Sequence, residues 1–140
     1  MTPREIDLVQ TSFAKVIPIA DTAAGLFYER LFEIAPEVRP MFPADLAEQR
    51  RKLMAALGMV VGGLRKLDAI LPAVKTLAVR HVGYGVSAAH YAPVGEALVW
   101  TLQQGLGEGF SAETREAWLL AYRLLAGAMI AEAYGKETAA

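Results

Sequence analysis

Prolines, glycines and short polar caps cut this chain into segments in which apolar residues recur three and four positions apart. No segment alternates apolar with polar residues for long enough to make a strand. A chain patterned in this way folds as packed helices. Thr2-Pro3-Arg4-Glu5 reads as a capping box that opens a helix with Ile6, Val9, Phe13 and Val16 on one face. Pro18 ends that helix and Asp21 is expected to cap the next, whose stripe is Leu26, Phe27, Leu31 and Ile34 and which stops before Pro36. A short helical turn over 36–40 and a polar corner at Pro43-Ala44-Asp45 follow. Asp45 with Glu48 is expected to cap a helix over 46–63, which runs out at Gly62-Gly63. The next stripe is Leu71, Val74, Leu77, Ala78 and His81, closed by Gly83 and Gly85. Ser87 opens a long helix through Leu106, Ser111 caps the last one, with Trp118, Leu125 and Met129 at core spacing, and the tail GKETAA is expected to fray. Neither an internal repeat nor a low-complexity linker divides the chain, so residues 1–140 are read as a single all-α domain.

Composition narrows the function classes. Net charge is −1 with 21% charged residues, which supplies no basic field for nucleic acid. The 54% hydrophobic content is that of a chain with a core. There is no cysteine, so disulfides, thiolate metal sites and a cysteine nucleophile are all absent. The opening MTPREIDLVQTSFAK lacks the apolar run of a signal peptide, and LMAALGMVVGGL (53–64) falls short of the roughly 20 residues of a membrane span. A cytoplasmic location without membrane insertion is the expectation.

His81 and His90 are the two histidines. The helices 46–63 and 70–82 share a short connection, so they are expected to lie antiparallel, with Gln49 facing His81 and Leu53 facing Leu77. Such a pairing makes an apolar slot with two polar groups at its mouth, suited to a flat hydrophobic cofactor with a metal at its centre. Taken singly, these residues have plainer readings. His81 is more often a core or boundary histidine, Tyr28 and Phe42 are core aromatics, Gln49 is a polar residue at a helix start, and Lys52 with Arg50 and Arg51 is a solvated face. His90 reads as a surface or capping residue.

Four stretches, LFYERLFEIAPEVRPMF, QRRKLMAALG, RHVGYGVSAAHYAPVGEAL and AWLLAYRLLAGAM, occur in an order and at spacings that resemble the single-domain bacterial globins. These are relatives of the haem domain of flavohaemoglobins, among them the Vitreoscilla-type haemoglobin and the globin of acidophilic methanotrophs. The resemblance implies the globin fold, a three-over-three helical sandwich around haem b. It makes His81 the proximal iron ligand, with the Leu77 carbonyl as the candidate acceptor for its other ring nitrogen. Tyr28, Gln49 and Leu53 take the distal positions, where tyrosine and glutamine donate hydrogen bonds to bound dioxygen. Phe42 takes the position of the phenylalanine that wedges the porphyrin. Lys52 is placed near the haem rim, Tyr84 near its edge, and Val86, Tyr91 and Val94 on the proximal side and floor.

One departure bears on the chemistry. Flavohaemoglobins surround the proximal histidine with a tyrosine, matched by Tyr91, and a glutamate whose position falls here on Ala133. Glu132 is one residue away, about 100° around the helix. The implied function is reversible binding of dioxygen, with nitric oxide and carbon monoxide at the same site. The alternative is a nitric oxide dioxygenase. Because the chain ends at Ala140, with no room for flavin and nicotinamide domains, that activity is expected to need an external reductase. A haem-free helical interaction module is the third reading.

Overall fold

The structure is a computed structural model that describes residues 1–66, 69–76 and 91–139, of which 130–139 by backbone alone. The described elements are α1 (Pro3–Val16), α2 (Ala20–Ile34), α3 (Ala47–Gly62), α4 (described over 69–76), α5 (Tyr91–Leu106) and α6 (Ala112–Ala139). Short 3-10 turns occupy Ile17–Ile19, Pro36–Met41, Leu64–Lys66 and Gly107–Gly109. No strand occurs among the described residues.

Local chemistry explains most of the boundaries. At the start of α1 the Glu5 amide donates to the Thr2 hydroxyl at 3.2 Å while the Thr2 amide donates to the Glu5 carboxylate at 2.7 Å, which satisfies two backbone donors reciprocally. That exchange holds the Glu5 carboxyl below its ordinary pKa, chiefly through the backbone bond from Thr2. At α6 the Thr114 amide donates to the Ser111 hydroxyl at 3.1 Å, as the sequence predicts. Asp21 and Asp45 behave differently from expectation. The chain enters α2 through the 3-10 turn with Ile19 as N-cap and no side-chain cap, leaving Asp21 in the first helical turn, where it meets the positive end of the helix dipole. Asp45 accepts from the Ala47 amide at 3.0 Å, but it lies one residue before the N-cap Leu46. In α4 the buried stripe is also displaced: Val74 is buried and Ile70 packs with it, while Leu71 is 40% exposed. The last helix continues through Ala139.

The helices stack in two layers. Helices α2, α5 and α6 form one, with α2 against α5 and α5 against α6; α1 and α3 lie in the other. Contacts of α1 with α6 and α5, and of α2 with α3, join the layers, and Val74 of α4 packs with Ala126 and Met129 of α6. Four of the expected α1 positions, Ile6, Val9, Phe13 and Val16, are buried in the main core with Phe27, Leu31, Leu98, Leu102 and Trp118. Each fully buried side chain of this kind contributes about 1.5–3 kcal/mol.

Polar groups lock this stack at defined points. The Trp118 indole N–H donates at 2.8 Å to the Ser12 hydroxyl, which donates in turn to the α1 backbone at Leu8. The Gln10 amide donates at 2.9 Å to the Val61 carbonyl in the last turn of α3. At the α5–α6 crossing Gly95 lets the Tyr122 ring approach closely, and a Cβ added there would stand 2.7 Å from Tyr122 Cε2. Tyr122 also donates its hydroxyl proton to the Tyr91 carbonyl.

Gly95→Ala is expected to lower stability by about 1–3 kcal/mol, because an aromatic ring held at both ends must move to admit a methyl group. Gly62→Ala, at a position with no atom within 4 Å of the added methyl, is the matched control. Denaturant midpoints of the two variants check the difference, and equal midpoints contradict it.

Candidate functional site

The candidate site starts on α2, where consecutive residues Phe27 and Tyr28 are both buried. Adjacent helical positions lie about 100° apart, so α2 buries two faces at once. Phe27 joins the main core, while Tyr28 stands beside Phe32 and Phe42, with ring centroids 6.0 and 5.5 Å away. Phe32 and Phe42 are themselves 5.5 Å apart, so the three rings form one aromatic wall. Phe42 reaches this wall because the 3-10 turn Pro36–Met41 ends there in extended backbone, with the Phe42 amide donating to the Arg39 carbonyl at 3.1 Å.

From the other side, the first turn of α3 brings Gln49 to the same point. The Tyr28 hydroxyl donates to the main-chain carbonyl of Gln49 at 3.5 Å, the outer limit of a hydrogen bond. Burial raises the Tyr28 pKa above its ordinary value, and hydrogen bonding to the Gln49 side chain offsets part of this. The phenol is therefore a neutral donor throughout the physiological range, with a long internal partner. One turn on, Leu53 is half-buried and borders an apolar cavity of about 20 Å³ together with Phe13, Phe27, Leu98 and Trp118. Lys52 is exposed.

Of the residues expected on the proximal side, Tyr91 is buried at the start of α5 in a cluster with Val74, Ala126 and Met129, and Val94 is half-buried against the main core. Tyr122 restrains the Tyr91 backbone, and burial among these groups raises the Tyr122 pKa strongly. His81, Leu77, Tyr84, Val86 and His90 lie outside the described residues, as does the expected facing of Gln49 with His81 and of Leu53 with Leu77. The side chains of Glu132 and Ala133 are likewise outside the description. Thus Tyr28, Gln49 and Phe42 converge, Leu53 borders the adjoining cavity, and Tyr91 and Val94 sit on α5.

The globin family model matches residues 25–129. The chain belongs to the globin family. This globin is 34% identical over 116 residues to the flavohemoprotein of Bordetella parapertussis, a match covering 81% of the chain and 28% of that relative, so it spans under a third of that protein's length. Neuroglobin-1 of Oncorhynchus mykiss is 26% identical over 143 residues, covering 92% of this chain and 90% of the relative. Among solved structures, a bacterial globin from Campylobacter jejuni superposes with a TM-score of 0.86 at 25% identity, covering 98% and 99% of the two chains. An engineered carbene transferase, a candidate nitric oxide dioxygenase of Rhodothermus marinus, has the same fold, with a TM-score of 0.87 at 24% identity over 99% and 97% of the chains.

The sequence reading missed Arg39, whose partners are main-chain carbonyls, and the cavity beside Leu53. A basic residue in the last turn of a short helix is the signal that could have singled out Arg39.

The raised pKa values of Tyr28 and Tyr122 predict a pH dependence. Both groups keep their protons in the folded chain at pH values where the unfolded chain, near the ordinary value of 10.0, loses them. Their contribution is fully present below pH 10.0 and declines as pH rises above it. Urea midpoints measured across that range should fall, and Tyr28→Phe or Tyr122→Phe should make the fall shallower. An unchanged slope in both variants contradicts the assignment.

Proposed function

We propose that this globin binds haem b with His81 as the proximal ligand and takes up dioxygen reversibly on the side bounded by Tyr28 and Gln49. The observation that carries this reading is the convergence of the buried Tyr28 phenol with Gln49 beside the Phe42 ring. The donor chemistry suits the group. A neutral imidazole is a normal haem ligand, and half-buried apolar side chains such as Phe42, Leu53 and Val94 suit a porphyrin face. Haem would supply an iron centre that takes up dioxygen, nitric oxide or carbon monoxide.

The protein's part is to hold and discriminate these gases. Tyr28 presents a proton on a group that burial keeps neutral, and the side chain of Gln49 offers a second donor that does not titrate. Both donors would be available to a bound dioxygen, and each such bond would contribute on the order of 1–3 kcal/mol. On this reading Phe42 would pack against the porphyrin, Lys52 and Tyr84 would serve the haem rim, and Tyr91 and Val86 would serve the proximal side.

A second reading rests on the likeness to flavohemoproteins. Retained dioxygen is also a reactant, and nitric oxide and dioxygen combine to nitrate with one electron per turnover supplied by a separate reductase. Catalytic nitrate formation with such a reductase, set against simple release of the gas, separates the two readings.

Haemin titration should give a Soret band in the wild-type protein and lose specific axial ligation in His81→Ala. Tyr28→Phe and Gln49→Leu should retain haem yet release dioxygen about tenfold or more faster, as expected for the loss of one charge-assisted bond. Stopped-flow off-rates check this, and unchanged rates in both variants reject the distal assignment. Between pH 7 and about 5 the wild-type off-rate should stay nearly constant, since an amide, unlike a distal histidine, gains no proton there. A steep rise with the fold intact argues against Gln49.

A further inference from the structure

Between the end of the 3-10 turn Pro36–Met41 and the start of α3, the chain crosses an irregular corner whose carbonyls have no helix or sheet to pair with. Pro43 in this corner contributes no amide donor of its own. The Arg39 guanidinium fills the gap. Its Nη1 donates to the carbonyls of Phe42 at 3.2 Å and Pro43 at 3.0 Å, and its Nη2 reaches that of Ala44 at 3.4 Å. The same guanidinium carbon lies 5.0 Å from the centroid of the Phe32 ring. Phe32 is in turn 5.5 Å from Phe42 and 6.0 Å from Tyr28, so one side chain grips both the backbone that carries Phe42 and the ring against which Phe42 rests.

We propose that Arg39 is a positioning residue for the haem-facing corner: by chelating three successive carbonyls and stacking on Phe32 it holds Phe42, and through the aromatic wall Tyr28, in place. The proposal rests on the haem reading above for its functional consequence and on the corner geometry alone for its structural one. The chemistry favours arginine specifically. A planar, delocalised cation with donors in a fixed fork can bridge adjacent carbonyls and lie on an aromatic face together, whereas a lysine ammonium is a strongly hydrated point charge that meets one demand at a time. Its neighbourhood also differs from that of Arg30, which stacks at 5.2 Å on Trp100 and pairs with Glu33 at 3.1 Å without binding a corner carbonyl. Arg30 is therefore a matched control for loss of one arginine–aromatic contact.

The test has two arms. In haem-free protein, hydrogen exchange of a peptide spanning 40–47 is expected to accelerate in Arg39→Ala and to stay at the wild-type rate in Arg30→Ala. In haem-loaded ferric protein, transfer of haem to excess apomyoglobin well below the melting temperature should be about tenfold faster in Arg39→Ala, the size expected for losing a charge-assisted network, with Arg30→Ala within about twofold of wild type. Arg39→Lys keeps charge and length and should fall between Arg39→Ala and wild type in both arms, and it carries the test if Arg39→Ala folds poorly. Exchange at 40–47 that does not respond to Arg39 overturns the clamp, and haem loss no faster than in Arg30→Ala overturns its role at the site. If wild-type protein takes up no haemin, the haem reading fails on its own, and the exchange arm still decides whether Arg39 holds the corner.

Discussion

Helix α2 has to satisfy two neighbours at once, and the arrangement of this globin follows from that demand. Phe27 and Leu31 commit one face of the helix to the core shared with α5, while Tyr28 turns toward α3 and the corner. Because these residues are nearly inaccessible, a rotation of α2 that improved one contact would expose or unpair the other. Tightly packed interiors do not deform continuously, so the axial position of α2 fixes the distances from Tyr28 to Gln49 and Phe42 together. The candidate site is a by-product of helix packing made specific by one hydroxyl.

Much of the fold was legible because it is written in local chemistry. The Thr2–Glu5 box, the Ser111 cap and the stripe Ile6, Val9, Phe13 and Val16 depend on residues within a few positions of one another. Where reading failed, the competing partner lay elsewhere. Asp21 had the composition of a cap, but Pro18 drew the preceding residues into a 3-10 turn that made Ile19 the boundary. Leu71 and Ile70 are both plausible stripe members, and only the position of α6 decides that Ile70 packs inward. The site was legible by another route. Periodicity alone makes Tyr28 and Phe42 ordinary core aromatics, and it was their place within motifs resembling bacterial globins that marked them. Arg39 lay beyond both routes, since its partners are backbone carbonyls in a corner without regular pattern.

The electrostatics of the site follow from burial more than from charge. Among the described ion pairs, Arg4 with Glu113, Arg30 with Glu33 and Arg115 with Glu116 all lie at the surface, where such contacts contribute little. Among the described groups, those whose protonation burial shifts upward are the two phenols, Tyr28 and Tyr122, each held beside a backbone carbonyl. Neutral donors in apolar surroundings keep their strength across wide ranges of salt and pH.

The bond between Trp118 and Ser12 joins residues separated by 106 positions in sequence, and Arg4 with Glu113 spans a similar interval. During synthesis the apolar face of α1 is complete long before its partner on α6 exists. At about 5–20 residues per second the interval lasts roughly 5 to 20 s. The first helix must spend that time against transient neighbours, on α3 or on a chaperone, before the indole arrives to replace them. The face of α1 that meets α6 is thus translated well before the contact that covers it, and the length of that exposure is set by the pace of the ribosome.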